Sequence, residues 1–458
     1  MTEFNIPGLS SAMLRNLKML GFDTPTPVQE AAIPAVLEGR DVIAMARTGS
    51  GKTAAFGIGM VEKLEVKRFS VQGLVLCPTR ELADQVARAL RDLARAQSNV
   101  KILTLCGGVP IGPQIGSLSH GAHLIVGTPG RIQDHLNKET LTLEDLKMLV
   151  LDEADRMLDM GFQESMDFIL SRCPPRRQTL LFSATWPDQI RRLSSQYQRD
   201  PVTITVTRDE EPAPAIREVF YEVAPGEERQ ALVGLLSQEQ PESCLVFCGT
   251  RQECDLVASS LVEKGFSALA LHGDMEQRDR DLVLTRFANQ SCSVLVATDV
   301  AARGLDIDDL PLVVNLEPAR SPETHTHRIG RTGRAGREGL AVTFFTPPKA
   351  YKITKLEQVR GEAVEPLPGS ALLAVPPAPF SPPRVTLCIA GGRKEKVRPG
   401  DILGALTGEA GLPAGVVGKI AIQDFQSFVA VDSGVAAKAL KRLEAGRIKG
   451  RKFRVRMA

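Results

Sequence analysis

"LVLCPTRELADQVARAL", residues 74–90, and "LVFCGTRQECDLVASSL", residues 245–261, align without a gap and share nine of seventeen residues. Each reads as an apolar strand, a short polar loop and an amphipathic helix. The correspondence continues in order: "LTLCGG" (103–108) answers "LALHGD" (269–274), and "LIVGT" (124–128) answers "VLVAT" (294–298). Continuous apolar strands alternating with helical stretches are the pattern of parallel sheets covered by helices on both faces. The body is therefore read as two similar α/β domains in tandem, residues 1–206 and 216–364, joined by the polar, proline-rich hinge "TRDEEPAPA" (207–215). A second proline-rich stretch, 365–383, reads as an extended linker to a smaller domain, 384–458.

Composition narrows the class. Of 458 residues, 43% are hydrophobic and 24% charged, which are globular values, and no apolar run approaches the ~20 residues that span a bilayer. The opening "MTEFNIPGLS" lacks a basic and then apolar leader, so the expectation is a cytoplasmic protein without membrane contact. Eight cysteines form no CxxC and stand with no histidine cluster, so they read as buried reduced thiols and not as a metal site. The net charge of +2 conceals an asymmetry: residues 384–458 hold 15 Lys+Arg against 6 Asp+Glu, leaving the rest of the chain acidic. Such a tail is a footprint of nucleic-acid binding, and on charge alone a solvated lysine-rich face explains it as well.

Loops that recur at the carboxyl ends of parallel strands imply recurring contacts. Thr79 and Arg80 repeat as Thr250 and Arg251, and Thr128 repeats as Thr298, which suits a polymer with a repeating phosphate. Each threonine taken alone reads equally well as a helix cap. One element is not repeated: "ARTGSGKT" (46–53), between the apolar "DVIAMA" and a helical stretch, has the form of a phosphate-binding loop, with Ala46 where the general pattern has glycine. In such a loop Gly49 and Gly51 let backbone amides face phosphate oxygens, Lys52 meets the β and γ groups, and Thr53 offers a hydroxyl to Mg²⁺. "LVLDEAD" (149–155) ends a buried strand in carboxylates: Asp152 suits Mg²⁺ and Glu153 suits the attacking water. "HRIGRTGR" (327–334) sets arginines at every third position in a domain with no phosphate loop of its own.

"DEAD" (152–155), together with "ARTGSGKT", "PTREL" (78–82), "TPGR" (128–131), "SAT" (183–185), "ATDVAARGLDI" (297–307) and "HRIGRTGR", resembles the full motif set of DEAD-box RNA helicases, over about residues 4–362. The resemblance implies two RecA-like domains that close over ATP and single-stranded RNA. In "GFDTPTPVQ" (21–29) it implies Phe22 stacking on adenine and Gln29 bonding its edge, with Phe4 nearby. It further implies that Thr48, Gly49, Ser50, Gly51, Lys52 and Thr53 cradle the phosphates and that Gly304 and Asp306 approach ribose and phosphates. Ser183, Thr185, His327 and Arg328 are then coupling residues, and Arg331 and Arg334 reach the γ-phosphate from across the cleft. RNA is expected over Thr79, Arg80, Gly108, Thr128 and Arg131 on one domain and Arg251, Gly273, Gln277, Arg280 and Thr298 on the other.

The tail reads strand, helix, strand, strand, helix, strand, the order of an RNA recognition motif. Its first strand has no aromatic and its third only Phe428, so recognition is expected from loops and edges, at Arg393, Lys394, Lys396 and Arg398 and at Lys449, Arg451, Lys452, Arg454 and Arg456. "TLCIAGGRKEKVRPGDILGALTGEAGL" followed by "GKIAI" resembles the bacterial DbpA group, which implies binding to a hairpin of large-subunit ribosomal RNA and work on pre-ribosomal particles in ribosome assembly. The expectation is a monomeric, RNA-stimulated ATPase using ATP and Mg²⁺ to unwind short RNA duplexes. The alternative is an ATP-gated RNA clamp or scaffold in which hydrolysis is only slow release.

Overall fold

The computed structural model describes every residue except 1–3, 47–48, 187, 206–215, 303–306, 308, 334–337 and 410, so the expected hinge lies outside the described residues. Seven strands form the first sheet: β1 (Val42–Met45), β2 (Gly73–Leu76), β3 (Ile102–Leu105), β4 (Leu124–Gly127), β5 (Met148–Leu151), β6 (Gln178–Ser183) and β7 (Val202–Thr205). They run parallel in the order β3-β4-β2-β5-β6-β1-β7. The inner strands are buried on both faces: Val75 and Val150 join one apolar cluster, and Leu74, Leu149 and Leu181 the other. Full burial on both sides is why these strands read as continuous apolar runs without alternation.

The second sheet contains β8 (Ile216–Glu222), β9 (Cys244–Cys248), β10 (Ala268–Leu271), β11 (Val294–Thr298), β12 (Leu312–Asn315), β13 (Gly339–Phe345) and β14 (Leu367–Pro368). Its order is β10-β11-β9-β12-β13-β8-β14, which repeats the first sheet strand for strand. The repeated helices begin alike. Thr79 accepts a hydrogen bond from Leu82 N at 3.2 Å, opening the helix Arg80–Leu93, and Thr250 accepts one from Glu253 N at 3.2 Å, opening Arg251–Glu263. Each cap satisfies an amide that the first turn leaves without a partner, worth about 1 kcal/mol. The capping reading of these two hydroxyls is thus correct, and each keeps its own proton to donate.

The stretch 365–383 is not the extended spacer expected from its prolines. Leu367–Pro368 pairs with Tyr221 and Glu222 as the seventh strand, and Leu372 is buried in the second domain's core. Farther along, Ala378 N donates to Ser237 Oγ at 2.9 Å, and Phe380 meets Phe266 edge-on with centroids 5.7 Å apart. Apolar side chains between the prolines find a groove to bury in, and that gain outweighs the chain's preference for an extended solvated form.

The C-terminal domain is an antiparallel sheet of β15 (Arg384–Ile389), β16 (Val417–Ile422), β17 (Ser427–Asp432) and β18 (Val455–Met457), in the order β16-β17-β15-β18. Leu387, Ile389, Val429, Val431 and Val455 face the helices Pro399–Gly404 and Ala436–Ala445. The opposite face is covered over the central strands β15 and β17. Thr386 Oγ1 bonds Asn289 Nδ2 (3.1 Å) and Ser291 Oγ (2.6 Å) of the second helicase domain, and Phe428 is only 2% exposed. The described residues accordingly fall into two compact units, one ending with β7 and the other running from β8 to the C-terminus. All eight cysteines are buried and unpaired, and among the described residues no helix is long and apolar enough to cross a membrane.

Candidate functional site

In the first sheet the expected nucleotide residues follow β1, β5 and β6, while the expected RNA residues follow β2, β3 and β4. The strand order places the first group on one half of the sheet's carboxyl edge and the second on the other half. Crossovers set this division, because each loop leaves at the end of the strand before it.

The loop after β1 turns on Gly49 (φ 89°) and Gly51 (φ 94°) before the helix Lys52–Glu62. A Cβ on Gly51 would sit 2.4 Å from Gln29 Nε2, so the loop and the segment 21–29 are fitted to each other. Gln29 Nε2 donates to Gly51 O (3.2 Å), its Oε1 accepts from Thr26 N (3.0 Å), and Thr26 Oγ1 donates to Ser50 O (2.7 Å). Phe22 lies edge-on to the buried Phe4, with centroids 6.1 Å apart. Lys52 is buried and donates to Ala46 O at 3.0 Å, while Thr53 lies half-buried in the first helical turn. Thr48 lies outside the described residues.

Asp152, 2% exposed, is tied to the sheet by Asp152 N→Leu76 O (3.0 Å). Burial pushes its carboxyl up to about 6 against the pull of the Lys52 ammonium. Its Oδ1 is buried with no hydrogen-bond partner among the described residues. A buried carboxylate oxygen left open beside a phosphate loop suits a divalent cation, so the donor set fits Mg²⁺. Glu153 takes the left-handed conformation (φ 52°), a strained placement for a non-glycine residue, and meets Arg156 Nη1 at 2.9 Å. Asp155 carries a link the sequence reading missed. Its Oδ2 accepts from Ala184 N (3.2 Å), Thr185 N (3.0 Å) and Thr185 Oγ1 (2.8 Å), binding "DEAD" directly to "SAT". Ser183 Oγ donates to Thr185 O at 2.6 Å. The available signal was spacing: Asp155 stands three residues after Asp152, in the first turn of the helix Ala154–Asp159.

In the second unit, Arg328 is buried and held on every side. It grips Asp299 with Nε (2.6 Å) and Nη2 (2.9 Å), donates from Nη1 to Asn315 Oδ1 and Glu317 O (3.1 Å each), and lies 5.0 Å from the Phe247 ring centroid. His327 lies half-buried on the same helix, Pro322–Ile329. Arg331 is buried just after it, and its carbonyl accepts from Leu310 N at 3.0 Å. Gly304, Asp306 and Arg334 lie outside the described residues.

Of the RNA candidates, Thr79, Gly108, Thr128, Gly273 and Thr298 lie at or just after strand ends, and Arg80, Arg131, Arg251, Gln277 and Arg280 lie in the helices that follow. Arg131 is tucked in, donating to Val109 O (2.8 Å) and Gln114 Oε1 (3.1 Å), so it shapes the turn that holds Gly108 (φ 75°). Arg80 reaches Asp84 at 3.9 Å, and Thr128 begins the helix Pro129–Asn137. In the second unit Arg251 pairs with Asp274, Gln277 donates to Asp281 (2.8 Å), Arg280 donates to Ala301 O (2.8 Å), and Thr298 accepts from Ala301 N (3.4 Å). Gly273 is exposed beside them, and in the tail Arg393, Lys394, Lys396, Arg451 and Lys452 are all exposed.

Three family models match in order: DEAD/DEAH box helicase over residues 26–193, helicase conserved C-terminal domain over 227–336, and DbpA RNA binding domain over 386–457. The ATP-dependent RNA helicase DbpA of Escherichia coli (strain K12) is 53% identical over 461 residues, 100% of both chains. The chain belongs to the DEAD-box ATP-dependent RNA helicases. It is also similar to the DEAD-box ATP-dependent RNA helicase CshA of Geobacillus kaustophilus, 45% identical over 80% of this chain and 78% of that one. Among solved structures, S. cerevisiae Dbp5 bound to RNA and ADP BeF3 matches with a TM-score of 0.73 and 28% identity, covering 81% of this chain and 96% of the other. The helicase therefore consumes ATP, binds RNA and carries an RNA-binding domain of the DbpA type.

Proposed function

We propose that this helicase locally separates short RNA duplexes near a hairpin of large-subunit ribosomal RNA chosen by its C-terminal domain. It would act as a cytoplasmic monomer on pre-ribosomal particles during ribosome assembly. ATP is held by residues 48–53, with Phe22 and Gln29 on the adenine, and Lys52 transfers its bond from the Ala46 carbonyl to the β and γ phosphates. Mg²⁺, when bound by Thr53 and Asp152, neutralises charge on those phosphates. Glu153 orients the attacking water and takes its proton. Arg331 and Arg334, from a sheet without a phosphate loop, meet the charge that develops on the γ group, with Gly304 and Asp306 alongside. RNA runs over Thr79, Arg80, Gly108, Thr128 and Arg131 and over Arg251, Gly273, Gln277, Arg280 and Thr298. ATP and RNA favour the same arrangement of the two units, so each strengthens binding of the other. Ser183 and Thr185, through Asp155, and His327 and Arg328 transmit that preference.

The reading is supported by the strand order of the first sheet, in which the residues expected to hold nucleotide and those expected to hold RNA fall on opposite halves of the carboxyl edge. The test is ATP hydrolysis by the full chain with hairpin fragments of large-subunit ribosomal RNA and with unrelated RNA of equal length. Half-maximal stimulation at a much lower concentration of the hairpin is expected. Equal stimulation by both would refute the targeting, and no stimulation by either would refute the coupling.

A further inference from the structure

With one sheet face on its own helices and the other bonded through Thr386 to Asn289 and Ser291, the central strands β15 and β17 of the C-terminal domain have no open face on which bases can lie. Phe428 and Ala430, on the same face as Thr386, are buried. Phe425 behaves differently. It is 67% exposed at the tip of the hairpin between β16 and β17, in a turn closed by Gln423 N→Gln426 O at 2.8 Å.

The loop after β15 is locked onto this turn. Arg393 N donates to Gln423 O (2.8 Å) and Lys394 N to Asp424 O (2.9 Å). Gly392 has to lack a side chain, because a Cβ there would stand 2.3 Å from Gln423 O. Phe453 presses on the neighbouring Gly391, and Ala390 N donates to Arg454 O at 2.9 Å, which draws the approach to β18 into the same end of the domain. Arg393, Lys394, Lys452 and Arg454 are all exposed there, and the Arg393–Asp424 pair (3.1 Å) is a solvated one, easily exchanged for a phosphate.

A single exposed apolar side chain is ordinary on any surface. This ring differs because the loop after β15 fixes the turn that carries it and because guanidinium and ammonium groups flank it. A flat aromatic beside cations is what stacks an unpaired base while holding the adjoining phosphates. We infer that Phe425 is the stacking platform for one unpaired RNA base, with Arg393 and Lys394 on the phosphates beside it. The inference rests on the reading of the tail as the element that selects RNA.

The test is a titration of the full-length protein, without nucleotide, against an RNA hairpin carrying a fluorescent purine analogue in its loop. Phe425→Ala, at an exposed tip, is expected to weaken binding roughly 10-fold and to abolish quenching of the analogue. Phe425→Leu should weaken it similarly, whereas Phe425→Tyr should bind and quench as the parent does. A second variant changes Arg393, Lys394, Lys396, Arg451 and Lys452 together to Gln. If this variant binds weakly while Phe425→Ala binds and quenches like the parent, the platform is overturned and the tail's RNA role survives. If it binds as tightly as the parent, the tail's role and the platform fall together.

Discussion

The two parallel sheets share one topology and differ where they end. Asp152 N→Leu76 O in the first is copied by Leu316 N→Phe247 O in the second, each 3.0 Å, so Leu316 stands in the place of Asp152 and Glu317 in that of Glu153. Likewise Ala46 N→Ser183 O (3.1 Å) is copied by Val223 N→Phe345 O (2.9 Å), so Phe345 stands in the place of Ser183. After Val223 the next helix opens on Glu228, whose carboxylate accepts from Gly226 N at 2.8 Å, where the first sheet has Lys52. Leu316 and Phe345 are buried apolar residues, and a helix opening on a carboxylate repels phosphate. At these three described positions the second sheet keeps the frame of the first without the residues expected to serve a nucleotide. On the other half of the edge, Thr79 and Thr250 remain equivalent down to the same 3.2 Å cap.

The largest test of this asymmetry is Arg331→Ala. If the second sheet's arginine serves the first sheet's nucleotide, RNA-stimulated hydrolysis should fall about 10³-fold while nucleotide binding persists. A rate within a few-fold of the parent would restrict Arg331 to its own unit.

Asp152→Asn tests the price of the buried carboxylate. A carboxyl raised from its unfolded value to about 6 loses stability as pH climbs from roughly 4 to 6, because the folded protein resists losing that proton. Thermal melts without nucleotide or metal should show the variant more stable by roughly 3 kcal/mol above pH 6, with the difference vanishing near pH 4. The same proton opposes Mg²⁺, so metal-dependent nucleotide binding by the parent should weaken below pH 6.

Glu153→Gln should bind ATP and RNA and turn over about 10²-fold slower, read from single-turnover hydrolysis. The smallest effect sharpens the symmetric half. Thr79→Val and Thr250→Val should each cost about 1 kcal/mol of stability, since both remove the same cap. Unequal losses in denaturant melts would mean that the equivalence is only geometric.

What the sequence disclosed follows this division. The repeat is legible at 74–90, 103–108 and 124–128 against 245–261, 269–274 and 294–298, all in the half where both sheets keep the same residues. It fades at Asp152 and Ser183, where Leu316 and Phe345 took over, so the full seven-strand identity appeared only in the fold. The phosphate loop and "DEAD" were readable because phosphate chemistry restricts which residues serve. The docking of 365–383 was not, since a two-residue strand has no periodicity and the prolines suggest extension. Asp155's link to Thr185 joins segments 30 residues apart and needs the sheet to bring them together. Phe425 was overlooked because exposure, and not residue type, separates it from the buried Phe428.

The central claim is that one nucleotide site, on the first sheet, is completed by the second. The first unit has its own sheet and cores, so residues 1–206 can be produced alone and assayed for ATP binding and hydrolysis. The account predicts ATP binding with hydrolysis at background, with or without RNA. Brisk turnover by that fragment would contradict it.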